Sequence, residues 1–593
     1  MLYHPFLNFN DFIKNYTTTF SKFYQILGQV YLKSLNQHDS SITIDPLKLY
    51  EPIAKILLEA CKNPEPFFKT QQEFLKEYNK LIHYAIESAQ GHKPHPIYKA
   101  DIKDKRFAYQ KWEENLFFDF IKQFYLMSSR HIEKFLRSVP HIDKHTREKA
   151  IFIIKQMLNM LSPSNFIHTN PEILDSIFKD SGKSLLEGMN NLLTDLDKNY
   201  SLFDLYKARN HNFKLGVDVA NTKGEVVYKN KLIELIYYTP TTEKTYQHPL
   251  LVIPPWINKY YILDLSPKQS MVKWLVDNGF PVFMISWVNP GINLNNKSFD
   301  DYLLEGPLAA MKFMEEKLKI KKINLLGYCI GGVLSCMLMA YLKHHKQESK
   351  VVSATLMTTI LDYRDSGDIS TFLNEDYIKK LEEGMSEHKY FDGKIMGIAF
   401  SLIRSNDMIW SVLVNNYLLG KKPLPFEVLY WNADCTRLTL KLHTYYLRNL
   451  YVQNNLIKPN KLNIAGTPID IFSITTPCYF VSAVEDHIAP WRGTYKTCSK
   501  IKGMEKFVLA GSGHVFGMIN HPQKNKYHYW TKEDMSLSPT SWVTHATKHP
   551  GSWWNDWINF LKKYSGPETA HISQETIQKL SLYQAPGKYV HVK

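Results

Sequence analysis

The sequence predicts an α/β domain carrying an inserted helical cap, preceded by a mostly helical region. Three observations predict it. From about residue 215, short apolar runs alternate with helical stretches, the rhythm of a largely parallel sheet covered by helices. Residues 1 to about 210 instead carry apolar residues near helical spacing. One apolar run, Ile323–Tyr328, leads into Gly327-Tyr328-Cys329-Ile330-Gly331-Gly332, a tight glycine-rich turn that opens a second apolar stretch. At 593 residues the chain has room for at least two structural regions.

In chain order, the first 40 or so residues carry no clear anchoring pattern and are expected to be mobile. Phe67-Phe68, Phe74-Leu75, Tyr78, Leu81-Ile82 and Ala85 then mark one amphipathic helix face. Trp112, Leu116, Phe117, Phe120, Ile121 and Phe124-Tyr125 mark another. Such stripes normally pack a core; left exposed, they would form a docking surface. We therefore expect a helical N-terminal domain over 1–210 and a catalytic domain over 211–593. In the second domain the strand candidates are Val226–Tyr228, Leu232–Tyr238, Leu250–Pro254, Pro281–Trp287, Ile323–Tyr328, Val351–Met357, Cys478–Ala483 and Phe507–Ala510. Residues from about 362 to 450 break this rhythm. They are helical and rich in aromatic residues, and they sit between two strands, which suggests a cap over the site. Trp553, Trp554 and Trp557 suggest a closing helix, and Ala585–Val590 an extended tail.

Composition narrows the function. Apolar residues make up 44% of the chain, ordinary for a globular protein. The net charge of +15 is mostly interleaved with acids, and no nucleic-acid-binding module is recognisable. Weak attraction of an anionic substrate is the more useful meaning of that charge. The six cysteines are scattered without a Cys-x-x-Cys pair, which suits a reducing cytoplasm and neither a disulfide scaffold nor a zinc site. His141 and His145 have helical i, i+4 spacing but no third ligand in pattern, so no metal is expected. The start of the chain lacks the basic and apolar regions of a secretory signal. Ile323–Leu342 is uncharged and long enough to span a bilayer. Its early glycines and asparagine fit a buried strand followed by a buried helix better, so no transmembrane segment is expected.

The turn at Cys329 has the strand–turn–helix context of an α/β-hydrolase nucleophile elbow, with a thiol in the serine position. A helix N-terminus beneath the sulfur favours the thiolate. In this fold the acid and the base follow the nucleophile in that order. Asp486 and His514 each fall just past a predicted strand end, the edge where such sheets hold ligands. Asp486 would fix the tautomer of His514, whose other nitrogen takes the thiol proton. His487 adjoins Asp486 and is the rival base. The oxyanion hole is expected from the backbone N–H of Ile330 and from that of Trp256 or Ile257, in the loop after Pro254-Pro255. A cysteine keeps a captured acyl group as a thioester, still activated for transfer to an alcohol, where a serine would trap it as a more stable ester.

These residues carry a family resemblance. Gly327–Gly332, Glu485-Asp486-His487-Ile488-Ala489-Pro490-Trp491 and Gly511-Ser512-Gly513-His514 resemble the poly(3-hydroxyalkanoate) synthases. So do Pro254–Leu265, Ser286–Pro290, Asn415–Lys421, Tyr430–Asp434, Gly551–Trp554, Asp104–Phe107 and Leu161–Phe166. The likeness spans nearly the whole chain after about residue 65. One departure is Trp256, where some members have cysteine. The long N-terminal region is similar to that of class I enzymes, which implies short-chain (R)-3-hydroxyacyl-CoA, typically 3-hydroxybutyryl-CoA, as substrate and polyester plus CoA as products. It further implies Cys329, Asp486 and His514 as the catalytic set and no cofactor. It also implies a growing polyester chain as partner, association with cytoplasmic polymer granules, and a homodimer. Arg404 and Asn406 resemble the family's polar cap positions. Trp431, Tyr446 and His487 would complete the substrate side of the cap. Two other classes remain open on the residues alone: a thioesterase or polyester depolymerase of the same fold, and a non-catalytic granule scaffold.

Overall fold

The computed structural model describes residues 46–102, 104–197, 213–385, 390–422 and 427–593. The expectation of a mobile start falls outside these residues. The described residues form two compact units: the N-terminal helices together with Ile398–Pro425, and the remainder from 213 onward.

The second unit is built on an eleven-stranded sheet. In chain order its strands are β1 (Glu225–Lys229), β2 (Ile233–Tyr238), β3 (Leu250–Ile253), β4 (Val282–Trp287), β5 (Ile323–Tyr328), β6 (Val351–Met357), β7 (Cys478–Ala483), β8 (Met504–Ala510), β9 (His528–Thr531), β10 (Thr547–Pro550) and β11 (Tyr583–Gln584). The order across the sheet is β10-β9-β8-β7-β6-β5-β3-β4-β2-β1-β11. The run from β8 to β4 is parallel, with antiparallel strands on both flanks. This is the α/β-hydrolase architecture the sequence predicts. The central strands β3 to β5 are buried along their whole length, which is why they read as unbroken apolar runs. Strand β9 is mostly half-buried and β10 mostly exposed, and neither carries such a run, so hydropathy does not reveal them. The uncharged stretch from Ile323 is β5 followed by the helix Ile330–His344. Among the described residues no helix is long and apolar enough to cross a membrane.

The closing helix Trp554–Tyr564 packs three buried indoles, Trp553, Trp554 and Trp557, under the sheet. Each indole N–H finds an acceptor: Gly517 O, Met518 O and Thr355 Oγ1, at 2.8–2.9 Å. The segment expected as a cap is divided. Helices Glu375–Gly384, Glu427–Ala433 and Leu440–Tyr446 lie in the second unit. Ile398–Pro425 groups with the N-terminal helices, leaving the second unit just beyond a short antiparallel pair, Tyr390–Phe391 with Leu438–Thr439.

In the first unit, the helices Glu65–Ala89 and Leu116–Ser138 pack along each other around Leu81 and Met127. A buried polar network ties them together. Lys122 pairs with Asp119 at 2.9 Å and donates to Trp112 O, while Tyr84 and Gln123 donate to Asp119. Phe67, Phe68, Leu75 and Phe117 of the predicted stripes remain exposed. Ile398–Pro425 is joined to this unit by the Tyr417 hydroxyl, which donates to Asp195 at 2.9 Å, and by a close approach of the Tyr417 carbonyl to Gly188.

Candidate active site

The site begins with a strained turn. Cys329 has φ 55° and ψ −120°, a backbone conformation that costs a non-glycine residue about 1–3 kcal/mol. Its N–H is held by Met357 O at 2.9 Å, which extends the β5–β6 ladder by one step, and the helix Ile330–His344 starts immediately after it. The flanking glycines are sterically required. A Cβ on Gly327 would lie 2.4 Å from Ser335 Oγ, and one on Gly331 would lie 2.1 Å from the carbonyl oxygen of Ile253. The second contact brings the helix N-terminus against the end of β3, where the Trp256-Ile257 loop begins. Cys329 is partly exposed, whereas Cys336, two turns along the helix, is fully buried and its thiol is pushed up by burial.

Asp486 and His514 follow β7 and β8, and the pairing of those strands continues beyond their ends. Val484 N–H donates to Ala510 O and Glu485 N–H to Ser512 O, both at 2.9 Å. This zips the two loops together and sets His514 Nδ1 2.6 Å from Asp486 Oδ2. The Asp486 side chain is fully buried. Its second oxygen accepts the N–H groups of Ile488 and Ala489 at 2.8 Å each, so both carboxylate oxygens are occupied. Burial by itself would lower the His514 pKa. The Asp486 carboxylate, and after it the Cys329 thiol, outweigh it and raise the pKa to about 10. The structure therefore commits His514 Nδ1 to the Asp486 carboxylate, and the Cys329 thiol acts electrostatically on the same ring. His487 sits partly buried on the turn that wraps Asp486.

Several neighbours were given no role at the site by the sequence. Tyr328 stacks on the His514 ring with centroids 5.6 Å apart, and its hydroxyl donates to His514 O at 3.2 Å. Its place directly before Cys329 was the one signal in the sequence, and it does not tell which way the ring faces. Trp553 and Trp554 hold the loop just after His514 through Gly517 and Met518. Tyr363 and Tyr451 join the expected Tyr446 in an edge-to-face cluster with centroids 4.7–6.1 Å apart. Burial pushes all three phenols up, and each is electrostatically coupled to Cys329.

The loop expected to complete the oxyanion hole is tightly held. The Trp256 ring is buried among Trp287, Phe299 and Tyr302. The carbonyls of Trp256 and Ile257 both accept from Thr436 Oγ1, at 2.6 and 2.7 Å, which leaves the N–H side of this backbone for other partners. Ile330 is the first residue of its helix, where N–H groups lack intrahelical acceptors. Trp431 is buried and its indole donates to Lys259 O at 2.7 Å, so it clamps this same loop. Arg404 belongs to the first unit and forms a half-exposed ion pair with Asp407.

An elbow thiol, a histidine and a carboxylate on this sheet define an α/β-hydrolase-fold protein, and the model of that fold matches residues 248–520. Residues 103–275 match the model described as the N-terminus of poly-beta-hydroxybutyrate polymerase (PhaC). The chain is 39% identical over 533 residues to the poly(3-hydroxyalkanoate) polymerase of Methylorubrum extorquens, covering 90% of this chain and 88% of that one. It is 36% identical over 554 residues to the poly(3-hydroxyalkanoate) polymerase subunit PhaC of Rhizobium etli, at 92% and 87% coverage. The corresponding subunit of Cupriavidus necator is 35% identical over 529 residues, covering 88% of each chain. The chain belongs to the poly(3-hydroxyalkanoate) polymerase family.

Proposed function

We propose that this protein polymerises (R)-3-hydroxyacyl-CoA, with 3-hydroxybutyryl-CoA as the preferred unit, into polyester with release of CoA through a thioester on Cys329. The observation that carries this reading is the relay Cys329–His514–Asp486, in a chain of this family. The Cys329 thiol gives its proton to His514 and its sulfur attacks the carbonyl carbon of the CoA thioester. The oxyanion that forms is stabilised by the N–H of Ile330 and one from Trp256 or Ile257; each such donor lowers the barrier by about 3 kcal/mol. Collapse expels CoA, which takes a proton from His514. The 3-hydroxyl of the next unit then gives its proton to His514 and attacks the acyl–Cys329 carbonyl. An ester bond forms as the sulfur leaves with the proton from His514, and the CoA thioester carried by the lengthened chain is the one attacked in the next cycle. One CoA leaves per unit added.

Water in place of the hydroxyl would hydrolyse the intermediate. The cluster of buried Tyr363 and Tyr446 with half-buried Tyr451 supports a dry environment near the sulfur. Within the segment from about 362 to 450, we read the helices that lie in the second unit as the cap. The exposed phenylalanines Phe67, Phe68 and Phe117 we read as a contact surface for polymer granules. The test is incubation with (R)-3-hydroxybutyryl-CoA, following free thiol and insoluble polymer together. Polymer formed in step with CoA supports the reading. CoA release without polymer would instead identify a thioesterase, and no release at all a scaffold.

A further inference from the structure

Lys259 is a charged residue in an apolar place. Its side chain is only 3% exposed, and it lies two residues past Ile257. Isolating an ammonium from water is costly unless it is paired and hydrogen-bonded. Two groups from distant parts of the chain do this. Asp434 Oδ1 lies 2.8 Å from Nζ, and Nζ donates to Val590 O at 2.6 Å. The first partner comes from the stretch that also supplies Trp431 and Thr436 to the same loop. The second comes from the tail that follows β11.

The tail is itself firmly placed. Glu234, fully buried on β2, accepts the N–H groups of Lys588 and Tyr589 at 2.9 and 3.0 Å and the hydroxyl of Tyr583. Strand β11 pairs with β1 at the sheet edge. A carbonyl is thus delivered from the far edge of the sheet to a lysine on the loop that starts where β3 meets the elbow helix. An apolar residue would fill position 259 without any of these partners. What the lysine adds is a directional link, fixing the loop backbone against two independent anchors.

We propose that Lys259 is a positioning residue for acyl transfer, and that residues 583–593 act as a strap holding the oxyanion loop in register through it. This rests on the reading of the Trp256 or Ile257 N–H as an oxyanion donor. A loop displaced by about 1 Å would lose transition-state contacts and on the order of 100-fold in rate, with little change in ground-state binding.

The test compares Lys259→Met, the chain shortened after Tyr589 so that the Glu234 contacts remain, and the two combined. Two rates are measured: CoA release from (R)-3-hydroxybutyryl-CoA, and alkylation of Cys329 by iodoacetamide. Alkylation displaces iodide at a saturated carbon and develops no oxyanion, so it reports the thiol and its histidine alone. Each single variant should lose kcat roughly 100-fold, keep KM within about twofold, and alkylate at the parental rate. The combined variant should be no worse than the poorer single one, because the Lys259–Val590 bond is lost in both and its loss counts once. Asp434→Asn, which keeps the size and an acceptor, should show the same split in milder form and serves if Lys259→Met does not fold. Parental kcat in either single variant, a parallel fall in alkylation, or multiplying losses would each overturn the strap. Full CoA release by a Cys329→Ala control would instead sink the catalytic reading itself, whatever Lys259 does.

Discussion

At the scale of single residues, two thiols on one helix separate chemistry from packing. Cys329 is partly exposed in a strained turn, and Cys336 is buried. Cys329→Ala should cut CoA release by at least roughly 10⁴-fold. Cys336→Ala should keep turnover within about twofold and cost about 1 kcal/mol in urea unfolding; comparable losses in both variants would contradict the assignment. Asp486→Asn should lower kcat on the order of 10³- to 10⁴-fold, because the amide no longer favours the required His514 tautomer. His514 also links activity to stability. Its pKa is raised to about 10 in the fold against about 6.5 unfolded. The folded state therefore binds more protons between those values, and this contribution is fully present below about pH 6.5 and lost as pH rises toward 10. Urea unfolding at pH 6, 8 and 10 should show the gap between parent and His514→Gln shrinking as pH rises. A constant or widening gap would refute the linkage. The residues of this relay were legible from chain order and strand ends. Tyr328 was not, because its role depends on which way one ring faces.

Elements add constraints that no single side chain carries. The elbow works because the helix Ile330–His344 can approach Ile253 with no Cβ between them. Gly331→Ala sets a methyl against a backbone oxygen that cannot rotate away, an overpacking worth about 1–3 kcal/mol. Turnover should fall further than that stability loss predicts, since the same shift moves the Ile330 N–H. Unaltered kcat in a folded Gly331→Ala protein would disprove this account. In the N-terminal unit, Asp119→Ala leaves the Lys122 ammonium buried without its carboxylate. A loss of about 3 kcal/mol or more is expected, visible as a lowered melting temperature, and an unchanged transition would mean the pair contributes nothing. Strands β1 to β8 were readable wherever burial made the run apolar. The start of β8 at Met504 was not, since Met504, Glu505 and Lys506 are at least partly exposed and only Phe507–Ala510 carry the apolar signal.

On the scale of the whole molecule, the family resemblance leads us to expect association. Specific activity should rise with protein concentration, and a larger species should appear on sizing after priming with substrate. Concentration-independent activity from a strictly monomeric protein would remove the dimer. What the sequence determined by itself was the ordered part of the chemistry: an elbow cysteine, then an acid, then a histidine, on a parallel sheet behind a helical region. These are local signals, set by turn sterics and by the burial of whole strands, and they survive in one dimension. What the tertiary structure decided were pairings between residues far apart in the chain. It assigned Ile398–Pro425 to the N-terminal helices although its neighbours in sequence belong to the sheet domain, and it brought Val590 to Lys259 across 331 residues. No periodicity encodes such contacts, because a hydrogen bond from a buried lysine to a backbone carbonyl leaves no side-chain pattern at the accepting end.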